Sequence, residues 1–385
     1  MSTINAGDAK HQVVEDLKPL TSLRFVAAMM IVILHAKAYF TWPWLKDAVW
    51  PLDHGVSFFF VLSGFILTHV YASKSFPGYI AFIRARIARL WPVHVFTLLA
   101  TVIFIRADRL VLDGPGIFNK WLELASNLSL THAAMPFDAY VFSWNSVSWS
   151  ISTEAFFYLA FPMLLINIRH TWLCKLLGSA LIALGVVAVM KMFGVPPDGG
   201  RFQVSLRSGL YAFPLVRAFE FCLGMSTWVL WDRYIRHLRM SALAWTVLEL
   251  AMLTIIARWF GNEFYVVADH IRLATLYTLF GQSGSAWLIA PLIAVLAAGR
   301  GAIGKALSWR PFVYLGEISF SIYMLHQILM KFFSWDVLPE IATPVMYFCA
   351  LIFLAAASHA LIEVPCRKRI LQQKSRISLS PRSIP

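Results

Sequence analysis

Residues 20–40 read LTSLRFVAAMMIVILHAKAYF. The stretch is long and apolar enough to cross a bilayer, which takes about 20 residues in a helix. It nonetheless carries Arg24 near one end and His35 in its other half. Eleven residues separate them, about three helical turns, so both project from nearly the same face. A span tolerates such groups where that face looks into protein or a water-filled cavity, and an ionisable residue there is a functional candidate by default. The plainer reading is that Arg24 reaches the headgroups and His35 bonds a neighbouring carbonyl.

The rest of the chain agrees with a membrane setting. Of its 385 residues 59% are hydrophobic and only 14% charged, against about 25% charged in ordinary soluble proteins. This predicts an all-α, polytopic membrane protein. A net charge of +13 would suggest nucleic acid in a soluble protein. Here the basic bias of inner loops accounts for it, and no nucleic-acid partner is expected. Cys174, Cys222, Cys349 and Cys366 show no paired spacing, which points to neither a disulfide framework nor a zinc site. The polar first nineteen residues do not look like a cleavable signal; the first span itself would direct insertion.

Ten apolar segments of spanning length can be placed, at 20–40, 55–72, 89–106, 149–168, 173–190, 212–231, 241–259, 273–298, 312–333 and 344–362. The eighth is interrupted by Gly281-Gln282-Ser283-Gly284-Ser285, so it reads equally as one kinked span or two. With ten spans, most Lys and Arg fall on one side, which the positive-inside bias makes cytoplasmic together with both termini. Residues 1–19 are then a cytoplasmic segment, 20–363 the membrane domain and 364–385 a basic cytoplasmic tail. The opposite side carries Lys191, Arg201, Arg207 and Arg217, a solvated cluster or a site for an anionic substrate. The longest outer loop, 107–147, holds a Gly/Pro turn and a short helix near Trp121 to Leu130.

Counting inward along the spans puts His35, Glu154 and His326 at similar depth in the outer half. A carboxylate beside imidazole orients a base and stabilises its protonated form. On the inner side, Arg84, Arg86 and Arg89 precede Pro92 at the start of the third span. Arg86 and Arg89 share a helix face, and guanidinium forks suit phosphate, although positive-inside anchoring explains most such clusters. A donor with a phosphorylated head and a long arm, such as a coenzyme A thioester, would span the two regions.

The motifs resemble the membrane-bound acyltransferase-3 family, which O-acylates bacterial surface carbohydrates and other hydroxylated acceptors. The first-span arginine and histidine are Arg24 and His35. The second-span pattern is GVSFFFVLSGF at 55–65, and the R-x-x-R is Arg86 and Arg89. The W-S-x-S-x-E stretch is Trp149, Ser150, Ser152 and Glu154. The late L-G-x-I-S-x-S-x-Y-x-x-H runs from Leu315 and Gly316 to Tyr323 and His326, and E-x-P-x-R is Glu363, Pro365 and Arg367. The likeness covers about residues 20–368. It departs at Ala155, where many relatives carry a second Glu.

The resemblance implies an enzyme of the bacterial inner membrane that moves an acyl group, acetyl most often, from cytoplasmic acyl-CoA to a hydroxyl. The acceptor would be a carbohydrate or lipid-linked saccharide, as in exopolysaccharide or lipopolysaccharide. His35 would be the general base, supported by Glu154. Arg24, Arg84, Arg86 and Arg89 would bind the donor, and His326, Ser150, Ser152 and Tyr323 the acceptor or a relayed proton. Membrane lipids and acyl-CoA are the expected partners; no metal or tightly bound cofactor is expected. A transporter or flippase of lipid-linked saccharides is the alternative, although no internal repeat of the kind such folds often show is visible.

Overall fold

A chain that crosses hydrocarbon must satisfy its backbone polar groups internally, and helices do this within one segment. The computed structural model describes residues 17–40, 50–73, 76–105, 114–333 and 342–377, and among them there is no β-strand beyond one isolated bridge between Phe137 and Val204. The principal helices are α1 (Lys18–Ala36), α2 (His54–Ala72), α3 (Tyr79–Phe104), α4 (Trp149–Leu165), α5 (Ile168–Met192) and α6 (Pro214–Arg233). They continue with α7 (Ala242–Arg258), α8 (Ala274–Ser283), α9 (Ala286–Ala297), α10 (Arg310–Phe333), α11 (Ala342–Ser358) and α12 (Val364–Ile377).

Nine helical runs among the described residues are long and apolar enough to cross a membrane. They match nine of the ten expected segments. The remaining segment is α4, whose 17 residues rise about 25 Å and stand at the short end of the spanning range. The protein is therefore an all-α, multi-pass membrane protein. The eighth segment is one run, Ala274–Ala297, interrupted between α8 and α9. Its gap is held from outside: Ser57 donates to the carbonyl of Gln282 at 2.7 Å, and the Trp259 indole donates to Ser285 at 2.9 Å. The third helix begins at Tyr79, a decade earlier than the sequence expectation. The arginines at 84, 86 and 89 thus sit inside the helix and not before it.

Two helix pairs frame the interior, and glycine sets both separations. A Cβ on Gly64 would lie 2.1 Å from the carbonyl oxygen of Phe221, and one on Gly224 would lie 1.9 Å from that of Val61. The contact is reciprocal, so α2 and α6 touch backbone to backbone. A Cβ on Gly316 would stand 2.0 Å from the Thr21 carbonyl oxygen, which brings α10 equally close to α1. Small residues at such crossings drive helix association in hydrocarbon, where burial alone supplies little. Aromatic rings fill the space between α2, α3, α4 and α6: Phe60 meets Phe157 at 5.1 Å, Phe157 stacks on Phe221 at 4.9 Å, and Phe82 stacks on Phe161 at 5.3 Å.

The segment between α3 and α4 folds inward. A helix at Lys120–Leu128 appears where the sequence suggested one, capped by the Asn119 side chain, which accepts from the amides of Trp121 and Leu122. The buried His94 ring bonds the carbonyl of Asn127 at 2.9 Å, and His132 pairs with Ser148 at 3.2 Å. These bonds pin the segment against α3 and the start of α4.

Arg217 corrects the outer-cluster expectation. It lies in α6, fully buried and paired to Glu220 at 3.1 Å, so it is no part of a solvated loop. Arg207 lies 4.4 Å from the Phe142 ring centroid and faces Asp138.

Replacing Gly224 or Gly316 by Ala is expected to destabilise the protein by about 1–3 kcal/mol through overpacking. Gly178→Ala and Gly185→Ala, whose Cβ atoms would meet nothing within 4 Å, are expected to be neutral. Thermal unfolding of the four variants in one detergent checks the difference.

Candidate active site

Helix α1 presents Arg24 and His35 to different neighbours along one face. Near its start, Arg24 joins Arg86 and Arg89 of α3 and Glu154 of α4 around a cavity of about 70 Å³. Ser63 of α2, Tyr158 and Ser150 of α4, and Ser319 and Tyr323 of α10 complete its polar lining. Arg86 and Arg89 reach it together because residues three apart share a helix face. Ser150, Glu154 and Tyr158 do so at successive steps of four.

The charges do not balance. Three guanidiniums face one carboxylate, and among the described residues Arg24, Arg86 and Arg89 form no ion pair. Glu154 spends its Oε1 on the hydroxyls of Ser63, at 3.0 Å, and Tyr158. Arg86 donates to Tyr71 at 3.3 Å and lies 5.7–5.8 Å from the ring centroids of Tyr71, Phe82 and Tyr158. Cation–π contacts of this kind hold a guanidinium in place without neutralising it. Arg367, from the last motif, is within electrostatic reach of Arg86 and Arg89.

Three turns along α1, about 16 Å at the helical rise, His35 meets His326 of α10. Their Nδ1 and Nε2 atoms are 2.8 Å apart and the rings stack with centroids at 5.1 Å. The other nitrogen of His326, Nδ1, contacts the carbonyl oxygen of Tyr323. A carbonyl only accepts, so this Nδ1 carries the proton. In the neutral ring Nε2 then accepts, which makes the Nδ1 of His35 the donor between the two rings. The proton-accepting nitrogen left on His35 is Nε2.

The turn that carries His326 is stapled to the chain before α4. Asn145 donates to the carbonyl of Met324 at 3.0 Å, and Ser146 donates to Gln327 at 2.6 Å. Tyr323 donates to the Val147 carbonyl at 3.1 Å and pairs with the Ser150 hydroxyl at 2.8 Å. Since Ser150 and Tyr323 also line the arginine cavity, one hydrogen-bonded seam joins the cavity wall to the histidine pair.

The structure therefore brings together Arg24, Arg86, Arg89, Glu154, Ser150 and Tyr323, with His35 and His326 alongside. Two expected residues are elsewhere. Arg84 donates to the carbonyl of Leu371 in α12 and does not line the cavity. Ser152 donates to the carbonyl of Leu130 and accepts from the amide of Ala133, which spends it on the inward-folded loop. Glu154, expected to support His35, has its carboxylate among the arginines, and the partner of His35 is a second imidazole. Tyr158 and Ser63 were missed; the four-residue step from Glu154 to Tyr158 was the available signal for the first. Among the described residues no three His, Cys, Asp or Glu side chains converge as a metal-binding group.

Comparison with known proteins fits this geometry. The profile of an acyltransferase domain, acyltransferase-3, matches residues 19–363. Acyltransferase MdmB of Streptomyces mycarofaciens is 25% identical, over 95% of both chains. O-acetyltransferase OatA of Staphylococcus aureus is 23% identical over 92% of this chain, which spans 57% of that protein's length. No solved structure gives a significant match. An excess of cation at one end of α1, a histidine pair at the other and a family profile that holds both place the chain in the acyltransferase-3 family, as a membrane-embedded O-acyltransferase.

Proposed function

We propose that the chain transfers an acyl group, acetyl in the simplest case, from acyl-CoA to a hydroxyl of a bacterial cell-surface glycan or its lipid-linked precursor, working in the cytoplasmic membrane. The observation that carries the reading is the unneutralised group of Arg24, Arg86 and Arg89, one seam away from an imidazole pair with a free accepting nitrogen. Family membership favours transfer over transport of lipid-linked saccharides.

In this reading the arginines hold the phosphates of coenzyme A, as charge-assisted forks do, and the thiol arm runs along α1 toward His35. The acceptor hydroxyl gives its proton to His35 Nε2 while its oxygen forms a bond to the thioester carbonyl carbon. Collapse of the tetrahedral adduct breaks the carbon–sulfur bond, and the departing thiolate takes the proton from the His35 imidazolium. The products are the ester and free coenzyme A. His326 acts through His35: it fixes the tautomer that leaves Nε2 free. Glu154 keeps Tyr158 and Ser63 in the cavity wall and offsets part of the positive charge. With both termini on the cytoplasmic side, the arginine end of α1 faces the compartment that holds acyl-CoA.

His35→Ala is expected to lower kcat by about 10²–10⁴-fold, the range general base catalysis supplies, with coenzyme A binding retained. Radiolabelled acetyl transfer to bacterial glycans, together with isothermal titration of coenzyme A, reads both quantities. His326→Ala is expected to lower kcat with little change in KM for the donor. His326→Gln is expected to recover part of the loss, because an amide oxygen can accept from His35 Nδ1. Equal loss in both His326 variants would count against the positioning role.

Arg24→Lys and Arg89→Lys are expected to raise KM for the donor, since an ammonium lacks the bidentate fork. Their donor binding should also weaken steeply with salt. Folded protein with no affinity for coenzyme A would overturn the donor assignment.

A further inference from the structure

A second cavity, of about 380 Å³, lies on the other face of α4. Helices α3 and α4 and the inward-folded loop wall it, with Ile87, Leu90, Trp91, Ala155, Phe156 and Leu159 giving it an apolar character. It shares Arg86, Leu90 and Tyr158 with the arginine cavity, so the two are separated by one layer of side chains.

Apart from the Arg86 guanidinium, whose Nε is buried without a hydrogen-bond partner, the polar side chains around it are engaged. Ser129 donates to the carbonyl of Ala125 at 2.8 Å and pairs with Thr131 at 2.9 Å. Ser152 donates to the Leu130 carbonyl at 2.7 Å, and Tyr158 donates to Glu154. The Trp91 indole donates to the carbonyl of Leu128 at 3.1 Å, and Arg86 is enclosed by three rings. A sugar here would strand most of its hydroxyls, at the cost of unpaired burial. Around the mouth Ile87, Trp91 and Leu159 are 47%, 41% and 52% exposed. Ile87 and Trp91 stand on α3, a helix long and apolar enough to cross a membrane, so hydrocarbon is the medium expected at the mouth.

We propose that this cavity is a lipid site that takes one hydrocarbon chain of a bilayer phospholipid, entering between α3 and α4. A chain passing from the bilayer into apolar walls gives up no hydrophobic stabilisation, and it supplies the dispersion contacts that a poorly filled space lacks. Ala155 makes the room: its methyl group lies in the lining where a longer side chain would fill the space. A chain seated there rests against Tyr158 and Leu90, the wall of the arginine cavity.

The test reconstitutes the full chain in nanodiscs containing a phosphatidylglycerol with a mid-chain diazirine, irradiates, and maps adducts by peptide mass spectrometry. Adducts are expected on Ser152, Ala155 or Phe156, besides those on Leu181 and Leu243, which are exposed elsewhere and report ordinary lipid contact. Ala155→Trp is expected to reduce the cavity adducts several-fold and leave the reporters unchanged; Ala155→Leu gives a graded second variant. Wild-type adducts confined to outward-facing residues would overturn the proposal. So would cavity adducts formed by a diazirine-bearing fatty acyl-CoA and not by the phospholipid, which would make the occupant the donor's own chain. Neither readout depends on transfer activity, so failure here is separate from failure of the acyltransferase mechanism.

Discussion

The hydrogen bond between His35 and His326 depends on how closely α1 and α10 approach, and that approach is set earlier on both helices, where Gly316 lies against the backbone at Thr21. Any side chain there would meet a carbonyl oxygen and push the helices apart. Two imidazoles on opposing helices then have no way to share a proton at 2.8 Å. The same contact positions Tyr323, one turn before His326, against Val147 and Ser150. The tautomer of His35 is thus fixed through a backbone carbonyl, a second ring and a helix crossing, all within one pair of helices.

Two groups of buried charge behave oppositely, and the contrast separates structural from functional use. Arg217 and Glu220 are both fully buried and pair with each other, with Ser57 bonding Glu220 and receiving a bond from Arg217. The pair balances its own charge, which offsets part of the desolvation cost of several kcal/mol per ion. Arg24, Arg86 and Arg89 are neither neutral nor closed: one carboxylate faces them, and its oxygen is engaged with hydroxyls. Such an excess in a low-dielectric setting is unfavourable until an anion arrives. It is the electrostatic state expected of a site whose ligand brings several negative charges of its own.

Much of this was legible from spacing. Arg24 and His35 were placed on one face, and both reach the interior from it. Arg86 and Arg89, three apart, point together; Arg84, two residues before Arg86, is rotated about 200° away on an ideal helix and faces α12 instead. The serines repeat the lesson. Ser150 shares a face with Glu154 and Tyr158, whereas Ser152 lies between those steps and turns to the loop. What spacing did not give was the partner of each group. Equal depth suggested that Glu154 would meet an imidazole, but depth is one coordinate and the helix rotations place its carboxylate with Arg24. The start of α3 was misplaced for a related reason. Residues 79–89 are too rich in arginine to read as a span, yet the ring cage and the Tyr71 hydroxyl accommodate Arg86 within the helix.

The departure at Ala155 takes its meaning from the same rotation. Adjacent residues on a helix differ by about 100°, and Glu154 and Ala155 line different cavities. Glu154 faces the arginines; Ala155 faces the second, largely apolar cavity. A carboxylate at 155 would stand among Ile87, Trp91, Phe156 and Leu159, with no route to the histidine pair except through the wall made by Tyr158 and Leu90. The missing carboxylate therefore removes nothing from the seam that joins Ser150, Tyr323, His326 and His35. What alanine changes is the other face of α4, where it leaves an apolar volume one layer of side chains away from the cavity of Arg24, Arg86 and Arg89.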